Sequence, residues 1–337
     1  MELAAAVLQG DRLALARLLT AIENEDAVGL STLSELYPHG GRADLIGVTG
    51  PPGCGKSSLV ARLAAHIRRN GLRPGTGPVR VAVVAVDPSS PFTGGAILGD
   101  RIRMRDLTGD PGVFIRSMAS RGALGGLAQA TLGAVQALDA AGYPVILIET
   151  VGAGQAEVEI ARMAHTTVVV EAPGMGDDVQ AIKAGILEIA DLLAVNKADL
   201  PGAENAIRQL RAALALGYPS QDNVHHAEAA QGAQPMAATP GWVPEVLATS
   251  ALKDTGIPEL AEAIARHLAQ LDATGGREKQ ELRRAQRAVA LLLERRLAGW
   301  FRARVSEASV QAEVRQVARR ETSPQQAVDR LTKGLAG

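Results

Sequence analysis

The residues of this sequence that are best suited to chemistry form a glycine-rich segment, GPPGCGKS, at residues 50–57. The segment matches G-x-x-x-x-G-K-[ST], a pattern in which glycines let backbone N–H groups turn inward around phosphate oxygens. The Lys56 ammonium would contact the β- and γ-phosphates of a nucleotide, and the Ser57 hydroxyl would bind Mg²⁺. An apolar run precedes the segment and a helical pattern follows it at 58–69, which is the required context. The sequence therefore predicts a phosphate-binding loop; the alternative is a chance glycine turn capped by Ser57.

A second segment, NKAD at residues 196–199, follows an apolar run and is typical of proteins that select guanine. The Asp199 carboxylate can accept hydrogen bonds from the ring N1–H and the exocyclic amine of guanine, which adenine does not offer. Lys197 can lay its alkyl stem on the base plane, and Asn196 can connect this segment to the phosphate loop. A later TSA at 249–251 ends another strand and could offer a backbone N–H to guanine O6. Asn and Asp also favour simple turns, but the order of the three segments favours guanine recognition.

Three carboxylates lie where predicted strands end. Glu149 begins ETVG, which fits the [DE]-x-x-G position where a carboxylate holds Mg²⁺ and the Gly152 N–H senses the γ-phosphate. Asp87 ends another apolar run, and Asp100 ends the loop that follows it. Ligands of open parallel sheets bind at the carboxyl ends of strands, so these groups could surround Mg²⁺ and GTP. For Asp87 and Asp100, helix capping or turn formation is an equally good explanation.

The candidate nucleotide-binding residues and the candidate metal ligands overlap. Cys54, inside the phosphate loop, is expected to be a small filler residue rather than a catalytic thiol. The metal ligands are Ser57, Asp87, Asp100 and Glu149. The nucleotide-binding residues are Gly50, Pro51, Pro52, Gly53, Cys54, Gly55, Lys56, Ser57, Ser58, Gly152, Asn196, Lys197, Asp199, Ser250, Ala251 and Leu252.

Seven short apolar runs without polar alternation lie between helical stretches. This pattern predicts an α/β fold in which a mostly parallel sheet is covered by helices on both faces, as in phosphate-loop NTPases. The domain is expected at residues 43–272. The runs are Leu45–Thr49, Val81–Val86, Val113–Arg116, Val145–Glu149, Thr167–Glu171, Leu192–Asn196 and Val246–Thr249.

Helical patterns flank this predicted domain. In an extension at 1–42, residues 2–26 predict helix with a break or cap at Gly10–Asp11 and an apolar face at Leu13, Ala16, Leu18 and Leu19. In an arm at 273–337, residues 277–320 predict a long amphipathic helix followed by shorter ones. Residues 219–243 predict a mobile surface loop. The arm predicts a homodimer, because apolar residues recur on a charged helix at Leu282, Ala285, Val289, Leu292, Leu293, Leu297 and Trp300.

Composition excludes several classes of protein. A net charge of −1 and 2% aromatic residues argue against binding of nucleic acid or of an anionic membrane surface. A single cysteine excludes an intrachain disulfide framework. No apolar run approaches the roughly 18–20 residues that cross a bilayer. These features predict a cytoplasmic protein.

The segment AVDPSSPFTGGAILGDRIRM at 85–104 resembles the switch segment of the methylmalonyl-CoA mutase-associated GTPases, the MeaB family. ETVGAGQAE at 149–157, PGMGDDVQAIKAGILEIADLLAVNKAD at 173–199 and GWVPEVLATSALKDTGI at 241–257 are similar to its other signatures. The resemblance covers nearly the whole chain.

The resemblance implies a Mg²⁺-dependent GTPase that binds GTP and GDP and acts as a chaperone of an adenosylcobalamin-dependent acyl-CoA mutase. It would gate cofactor loading and protect or reactivate the mutase, and a cobalamin adenosyltransferase is a further candidate partner. The C-terminal arm would serve the dimer. Lys183 would lie in a mobile switch at 173–184 that signals to the client. The implied catalytic residues are Lys56, Asp87, Asp100, Glu149 and Lys183.

Three other functions stay open. A nickel-insertion metallochaperone would need Cys or His ligands near its switches, whereas Cys54 lies in the phosphate loop and His225 and His226 lie in the predicted surface loop. A small-molecule or protein kinase would fit the phosphate loop but not the guanine-type segment. A purely structural dimer scaffold would need neither.

Overall fold

The computed structural model describes residues 2–88, 104, 107, 109–120, 124–150, 155–174, 188–217, 239 and 241–333. The chain divides into two compact units, Met1–Leu282 and Arg283–Gly337. The first unit contains the sheet and the N-terminal helices, and the second contains helices. The domain boundaries expected at 42/43 and 272/273 stay predictions.

Seven strands form one sheet in the order β3-β2-β4-β1-β5-β6-β7, and all neighbouring pairs are parallel. The predicted fold class is confirmed, since each of the seven apolar runs forms a strand. The register pairs Val48 of β1 with Glu149 of β4 and with Val168 of β5, so these strands end at one edge. The strands are β1 (Asp44–Thr49), β2 (Val81–Pro88), β3 (Val113–Ser120), β4 (Val145–Thr150), β5 (Thr166–Glu171), β6 (Leu192–Val195) and β7 (Glu245–Ala248).

Helices cover both faces of the sheet. Successive strand residues point to opposite faces, so Ile46 packs in a cluster with α4 and α8 while Leu45 packs in a cluster with α1, α2, α5 and α6. None of the helices in the described part of the chain has the length and apolar composition needed to cross a membrane. The helices are α1 (Glu2–Leu8), α2 (Arg12–Glu23), α3 (Ala27–Leu36), α4 (Lys56–Asn70), α5 (Leu124–Ala140), α6 (Gln155–Met163), α7 (Ala203–Gly217), α8 (Ile257–Ala273), α9 (Gly276–Arg304), α10 (Glu307–Ala318) and α11 (Pro324–Thr332).

The N-terminal helices confirm the predicted break and correct the predicted apolar face. Gly10 has φ +86°, and the Asp11 side chain caps α2 by accepting hydrogen bonds from the backbone N–H groups of Leu13 and Ala14. Leu13 was expected in the core but is 60% exposed. Leu18 and Leu19 are buried as predicted, and the other buried residues of α2 are Ala14, Leu15 and Ile22.

The long C-terminal helix is shorter than predicted. α9 ends at Arg304, because Ser306 caps a new helix, α10, by accepting a hydrogen bond from the Ser309 N–H. In the second unit, Arg330 of α11 bonds both carboxylate oxygens of Glu313 in α10, at 3.0 and 2.6 Å. Most of the predicted apolar stripe of α9 is exposed; the residues exposed by 40–65% are Leu282, Val289, Leu292, Leu293, Leu297 and Trp300.

The edge of the sheet where the strands begin, called here the amino edge, carries a closed network of charges. Arg73 bonds both oxygens of Asp44 at 2.7 and 2.8 Å, and Arg277 bonds Asp44 at 2.6 Å. Both arginines also bond Asp272, at 2.8 and 2.6 Å. Burial by itself raises the pKa of Asp44, but the hydrogen bonds from the two arginines outweigh it and hold that pKa below its ordinary value. This network joins β1 to the ends of α4 and α8 and to the start of α9.

A buried histidine occupies the same edge farther along the sheet. His267 of α8 lies with Nδ1 2.8 Å from Thr166 Oγ1, and with Nε2 2.9 Å from Thr239 Oγ1 and 3.2 Å from Asp191 Oδ1. Burial raises the pKa of Asp191, against the opposing effect of its hydrogen bond to His267. The indole of Trp242 packs edge-on against His267 and donates to the Asp191 carbonyl at 2.8 Å. These contacts join β5, β6, α8 and the segment before β7.

Candidate functional site

The opposite edge, called here the carboxyl edge, carries the phosphate loop between β1 and α4. Gly53 and Gly55 have φ values of +84° and +88°, a left-handed conformation that favours glycine. At Gly50, which has φ +139°, a Cβ atom would lie 2.1 Å from the carbonyl oxygen of Val170 in β5. The glycines of the sequence pattern are therefore required by backbone conformation and by close approach of a neighbouring strand.

Lys56 lies folded over this loop. Its Nζ donates to the carbonyl oxygens of Gly50, at 2.7 Å, and Pro51, at 2.9 Å, and the residue is only 6% exposed. Both of these partners are neutral carbonyl groups. The two hydrogen bonds therefore leave the positive charge of the ammonium uncompensated. An anion that enters the loop can accept the same hydrogen bonds.

Ser57 and Glu149 meet beside the loop. The Ser57 hydroxyl, in the first turn of α4, donates to Glu149 Oε1 at 2.5 Å, and both side chains are buried. A hydroxyl and a carboxylate oxygen at this place are the hard donors that Mg²⁺ prefers, so the two residues fit the predicted metal site. Asp87 lies on β2 just beyond the pairing of Val86 with Thr150, which places its backbone at the same edge.

Asn196 connects three segments. Its Nδ2 donates to the carbonyl oxygens of Cys54, at 2.9 Å, and Gly55, at 3.3 Å, and its Oδ1 accepts from the Ala251 N–H at 3.1 Å. A Cβ atom on Gly55 would lie 2.5 Å from Asn196 Nδ2, so this glycine also makes room for the connection. The link between the guanine-type segment and the phosphate loop is the one that the sequence predicts.

Lys197 and Asp199, which the sequence predicts to contact the base, bond to the phosphate loop and to the turn after β7, respectively. Lys197 has the unusual φ of +56° and its Nζ donates to the Gly53 carbonyl at 2.7 Å, so its stem crosses toward the phosphate loop. Asp199 Oδ1 accepts from the Ser250 hydroxyl at 2.5 Å. This hydrogen bond lowers the pKa of Asp199 and keeps the exposed carboxylate ionised as an acceptor.

These groups border a cavity of about 360 Å³. One wall is a face of α4, and the facing wall is formed by the guanine-type segment and the turn after β7. The cavity thus joins the phosphate loop to the residues predicted to read the base. Its lining residues are Gly55, Ser58, Ala61, Arg62, Ala65, Met104, Leu107, Asn196, Lys197, Asp199, Leu200, Ser250, Ala251 and Leu252.

The sequence prediction missed part of this lining. Arg62 could have been found, because it follows Ser58 by one helical turn and so shares its face of α4. Met104 and Leu107 carry no local signal and reach the cavity only through tertiary structure. The Ala251 N–H, expected to be available to guanine O6, donates to Asn196 in this structure.

Other predicted residues have different outcomes. Cys54 is buried, and burial raises the pKa of its thiol to about 11, which suits a filler residue better than a nucleophile. Leu252 is 80% exposed at the cavity rim. Asp100, Gly152 and Lys183 lie outside the described residues, as do His225 and His226.

Comparisons with known proteins found similar sequences and a similar fold. The family model described as "Methylmalonyl Co-A mutase-associated GTPase MeaB" matches residues 15–306. A putative GTPase of Pyrococcus abyssi is 41% identical over 336 residues, which cover 100% of this chain and 97% of that protein. A Caenorhabditis elegans protein named methylmalonic aciduria type A homolog, mitochondrial, is 37% identical over 57% of this chain and 50% of its own. The crystal structure of an LAO/AO transport system kinase matches with a TM-score of 0.70 and 26% identity, covering 100% of this chain and 97% of that one.

Proposed function

The chain belongs to the methylmalonyl-CoA mutase-associated GTPase family, and on this premise we propose that it hydrolyses GTP to regulate an adenosylcobalamin-dependent acyl-CoA mutase. The observation that carries the GTPase part is that Asn196 donates hydrogen bonds to the phosphate loop and accepts one from the Ala251 N–H. These bonds bring the phosphate loop and the segment at 196–199, which we propose to read guanine, to one cavity. The family description and the name of the nematode relative support the mutase as client.

The phosphate end of the site would work by exchange of hydrogen bonds. Lys56 would leave the carbonyl groups of Gly50 and Pro51 for the β- and γ-phosphate oxygens of GTP. Ser57 and Glu149 would hold Mg²⁺, with Asp87 and Asp100 as further candidates. When bound, Mg²⁺ supplies positive charge that neutralises the phosphates.

The base end would select guanine. The Asp199 carboxylate, oriented by Ser250, would accept from the N1–H and the 2-amino group of guanine. The O6 atom would be read by backbone N–H groups at the tip of the turn after β7. Because the Ala251 N–H already donates to Asn196, the O6 contact requires either sharing of that donor or use of the Leu252 N–H.

The segments at 88–100 and 173–184 would act as switches that respond to the γ-phosphate. We assign Asp100 and Lys183 to these switches on the basis of the family resemblance. Their state would change affinity for the mutase, and so gate cofactor loading and release of damaged cobalamin. A cobalamin adenosyltransferase is a further candidate partner. The single cysteine fits a reducing compartment, and we place the protein in the cytoplasm.

A homodimer would form through α9. The exposed apolar side chains of this helix, among them Leu293, Leu297 and Trp300, form the kind of surface that a partner helix covers. Light scattering at micromolar concentration is expected to give twice the 35.0 kDa mass of the chain. A monomer at that concentration would contradict this part of the proposal.

The test of the proposed function is GTP hydrolysis by the purified protein, alone and with an adenosylcobalamin-dependent acyl-CoA mutase from the same source. We expect slow turnover alone and faster turnover with the mutase, because partners commonly complete such sites. The Lys56→Met variant measures background in both assays. Turnover that is indifferent to the mutase would contradict the client assignment and direct the search to Ni²⁺ binding, and a phosphorylated acceptor in a radiolabel assay would favour a kinase.

A further inference from the structure

Arg62 holds the turn that follows β7 against the helix of the phosphate loop. It lies in the second turn of α4, and its Nε donates to the Ala251 carbonyl oxygen at 3.1 Å. Much of the Arg62 side chain is exposed, whereas Ala251 is only 7% exposed. The bond therefore joins an exposed side chain to a buried part of the turn. Both residues line the cavity. This contact is a link between α4 and the base-reading turn in addition to the one made by Asn196.

The two links act on successive peptide groups. Asn196 Oδ1 binds the N–H of Ala251, which belongs to the peptide between residues 250 and 251. Arg62 binds the carbonyl of Ala251, which belongs to the peptide between residues 251 and 252. In a trans peptide the N–H points away from the carbonyl oxygen, so Arg62 fixes the direction of the Leu252 N–H. Together the two side chains orient both N–H groups at the tip of the turn.

The stem of the turn is fixed by other contacts. Ser250 and Thr255 exchange backbone hydrogen bonds of 2.9 and 3.2 Å, and the Thr249 N–H donates to the Val195 carbonyl at 2.9 Å. Leu252 at the tip is 80% exposed, so side-chain packing contributes little to its orientation. Across the tip, the Lys253 N–H donates to Ser250 Oγ at 3.2 Å. The Arg62 bond acts on the peptide between residues 251 and 252 itself and so adds control over the rotation of that peptide.

We propose that Arg62 is a positioning residue that determines specificity for the O6 atom of guanine. It orients the Leu252 N–H, while Asn196 orients the Ala251 N–H, and Arg62 itself takes no part in phosphate binding. This inference rests on the proposed function, because it needs a guanine nucleotide in the cavity. Asp199 reads the opposite, amine-bearing side of the base, so the two selections are separable.

The experiment compares GDP with two analogues by calorimetric titration of the full chain. In 6-thio-GDP a sulfur, which is a weaker and larger acceptor, replaces O6 while N1–H and the 2-amino group remain. In IDP the 2-amino group is missing while O6 remains. We expect Arg62→Met to weaken GDP binding about tenfold. The preference for GDP over 6-thio-GDP is expected to fall from about tenfold to about twofold, while the preference for GDP over IDP stays unchanged.

Arg69 supplies a matched control. It lies on the same helix and its Nε also donates to a backbone carbonyl at 3.1 Å, but that carbonyl belongs to Ala65 in its own helix. Arg69→Met is expected to keep the wild-type preferences for all three ligands. Arg62→Lys keeps a charged donor and is expected to give an intermediate preference for O6. It also serves as the test variant if thermal unfolding shows that Arg62→Met does not fold.

The outcomes separate this inference from the proposed function. A wild-type preference for O6 in a folded Arg62 variant that binds GDP would overturn the role of Arg62 alone. An equal loss of both preferences would also overturn it, because general damage to the cavity has no reason to spare Asp199. Failure of the wild-type protein to bind GDP would overturn the proposed function itself.

Discussion

The two edges of the central sheet use charged side chains in opposite ways. At the carboxyl edge, Lys56 and Lys197 place their ammonium groups on backbone carbonyl oxygens of the phosphate loop, each at 2.7 Å. At the amino edge, Asp44 accepts hydrogen bonds from two arginines that both also bond Asp272. A lysine on a neutral carbonyl keeps its charge for an incoming anion, whereas an arginine between two carboxylates is compensated. The charges of the carboxyl edge are therefore suited to binding an anion, whereas the charges of the amino edge hold strands and helices together.

Backbone conformation follows the same division. Left-handed glycines at Gly53 and Gly55 shape the carboxyl edge, where backbone groups must approach a ligand. The amino edge instead relies on side-chain contacts between distant parts of the chain, such as His267 with Thr166 and Thr239. Substitutions at the first edge should therefore change binding and turnover, and substitutions at the second should change stability.

The largest expected effect is at Lys56. Lys56→Met removes the ammonium that would contact the phosphates, and GTP turnover is expected to fall about a thousandfold. The free energy of unfolding without nucleotide is expected to change by less than about 1 kcal/mol, because the carbonyl groups that Lys56 leaves belong to a loop that can be hydrated. Turnover assays and chemical denaturation measure the two quantities. Lys279→Met, at an exposed position of α9, is the control; retained turnover in Lys56→Met would break the comparison.

Asp44 should show the reverse pattern. Asp44→Asn leaves Arg73 and Arg277 without their shared buried partner, whose side chain is only 8% exposed. The free energy of unfolding is expected to fall by about 2–3 kcal/mol, at the low end for buried ion pairs because the arginines are partly exposed. GTP affinity is expected to stay within about twofold of the wild type. Asp272→Asn, whose side chain is 38% exposed, should cost less; a large loss of GTP affinity in Asp44→Asn would contradict the separation of the edges.

Acid titration sharpens the same prediction. The pKa of Asp44 in the folded protein lies below its ordinary value of 3.8, so the folded state binds its proton less readily than the unfolded state does. The stabilisation is then fully present above about pH 4 and is lost as the pH falls through the lowered pKa. The free energy of unfolding, measured by denaturation at pH values between about 5 and about 2, should fall more steeply for the wild type than for Asp44→Asn.

The smallest of these effects is expected at Asp199. Asp199→Asn removes one acceptor for guanine, so GTP affinity should fall about tenfold. Xanthine carries a carbonyl in place of the amine, and the asparagine amide can donate to that carbonyl. XTP should therefore bind to Asp199→Asn more tightly than to the wild type. Direct titration with both nucleotides measures the change, and Ser250→Ala, which removes only the orienting hydrogen bond, should give a smaller loss of GTP affinity. Unchanged GTP affinity in Asp199→Asn would show that the base does not contact this carboxylate.

Local patterns in the sequence were enough to predict the sheet and the carboxyl edge. Continuous apolar runs such as Val145–Glu149 identify buried parallel strands, and the glycines at 50–57 identify the loop, because both depend on neighbouring residues only. The exposure of Leu13 could not be predicted, since the helical period leaves the angle of the buried face open by a residue or two. The position of the α9 end at Arg304 depends on the Ser306 cap, a short signal within a long helical pattern.

The amino edge was beyond prediction for a different reason. Asp44, Arg73, Asp272 and Arg277 are common charged residues without a shared pattern, and only the completed fold brings them together. The position of Arg62 on the Ser58 face of α4 could have been predicted, but its bond to Ala251 could not, because Ala251 lies in the distant turn after β7. Residues that belong to a recognisable local motif, such as Asn196, can be predicted from the sequence, whereas residues that pair in the tertiary structure without such a motif cannot.

The three-way connection at Asn196 has a consequence for protein engineering. Because one amide joins the phosphate loop, its own segment and the turn at Ala251, the three segments form a single transferable part. If a nucleotide specificity were grafted from another protein by exchanging residues 196–199 alone, the new amide would lack the backbone groups that match it in the phosphate loop and in the turn. A successful graft would also carry glycine at position 55, where any side chain would collide with that amide, and the turn that receives it.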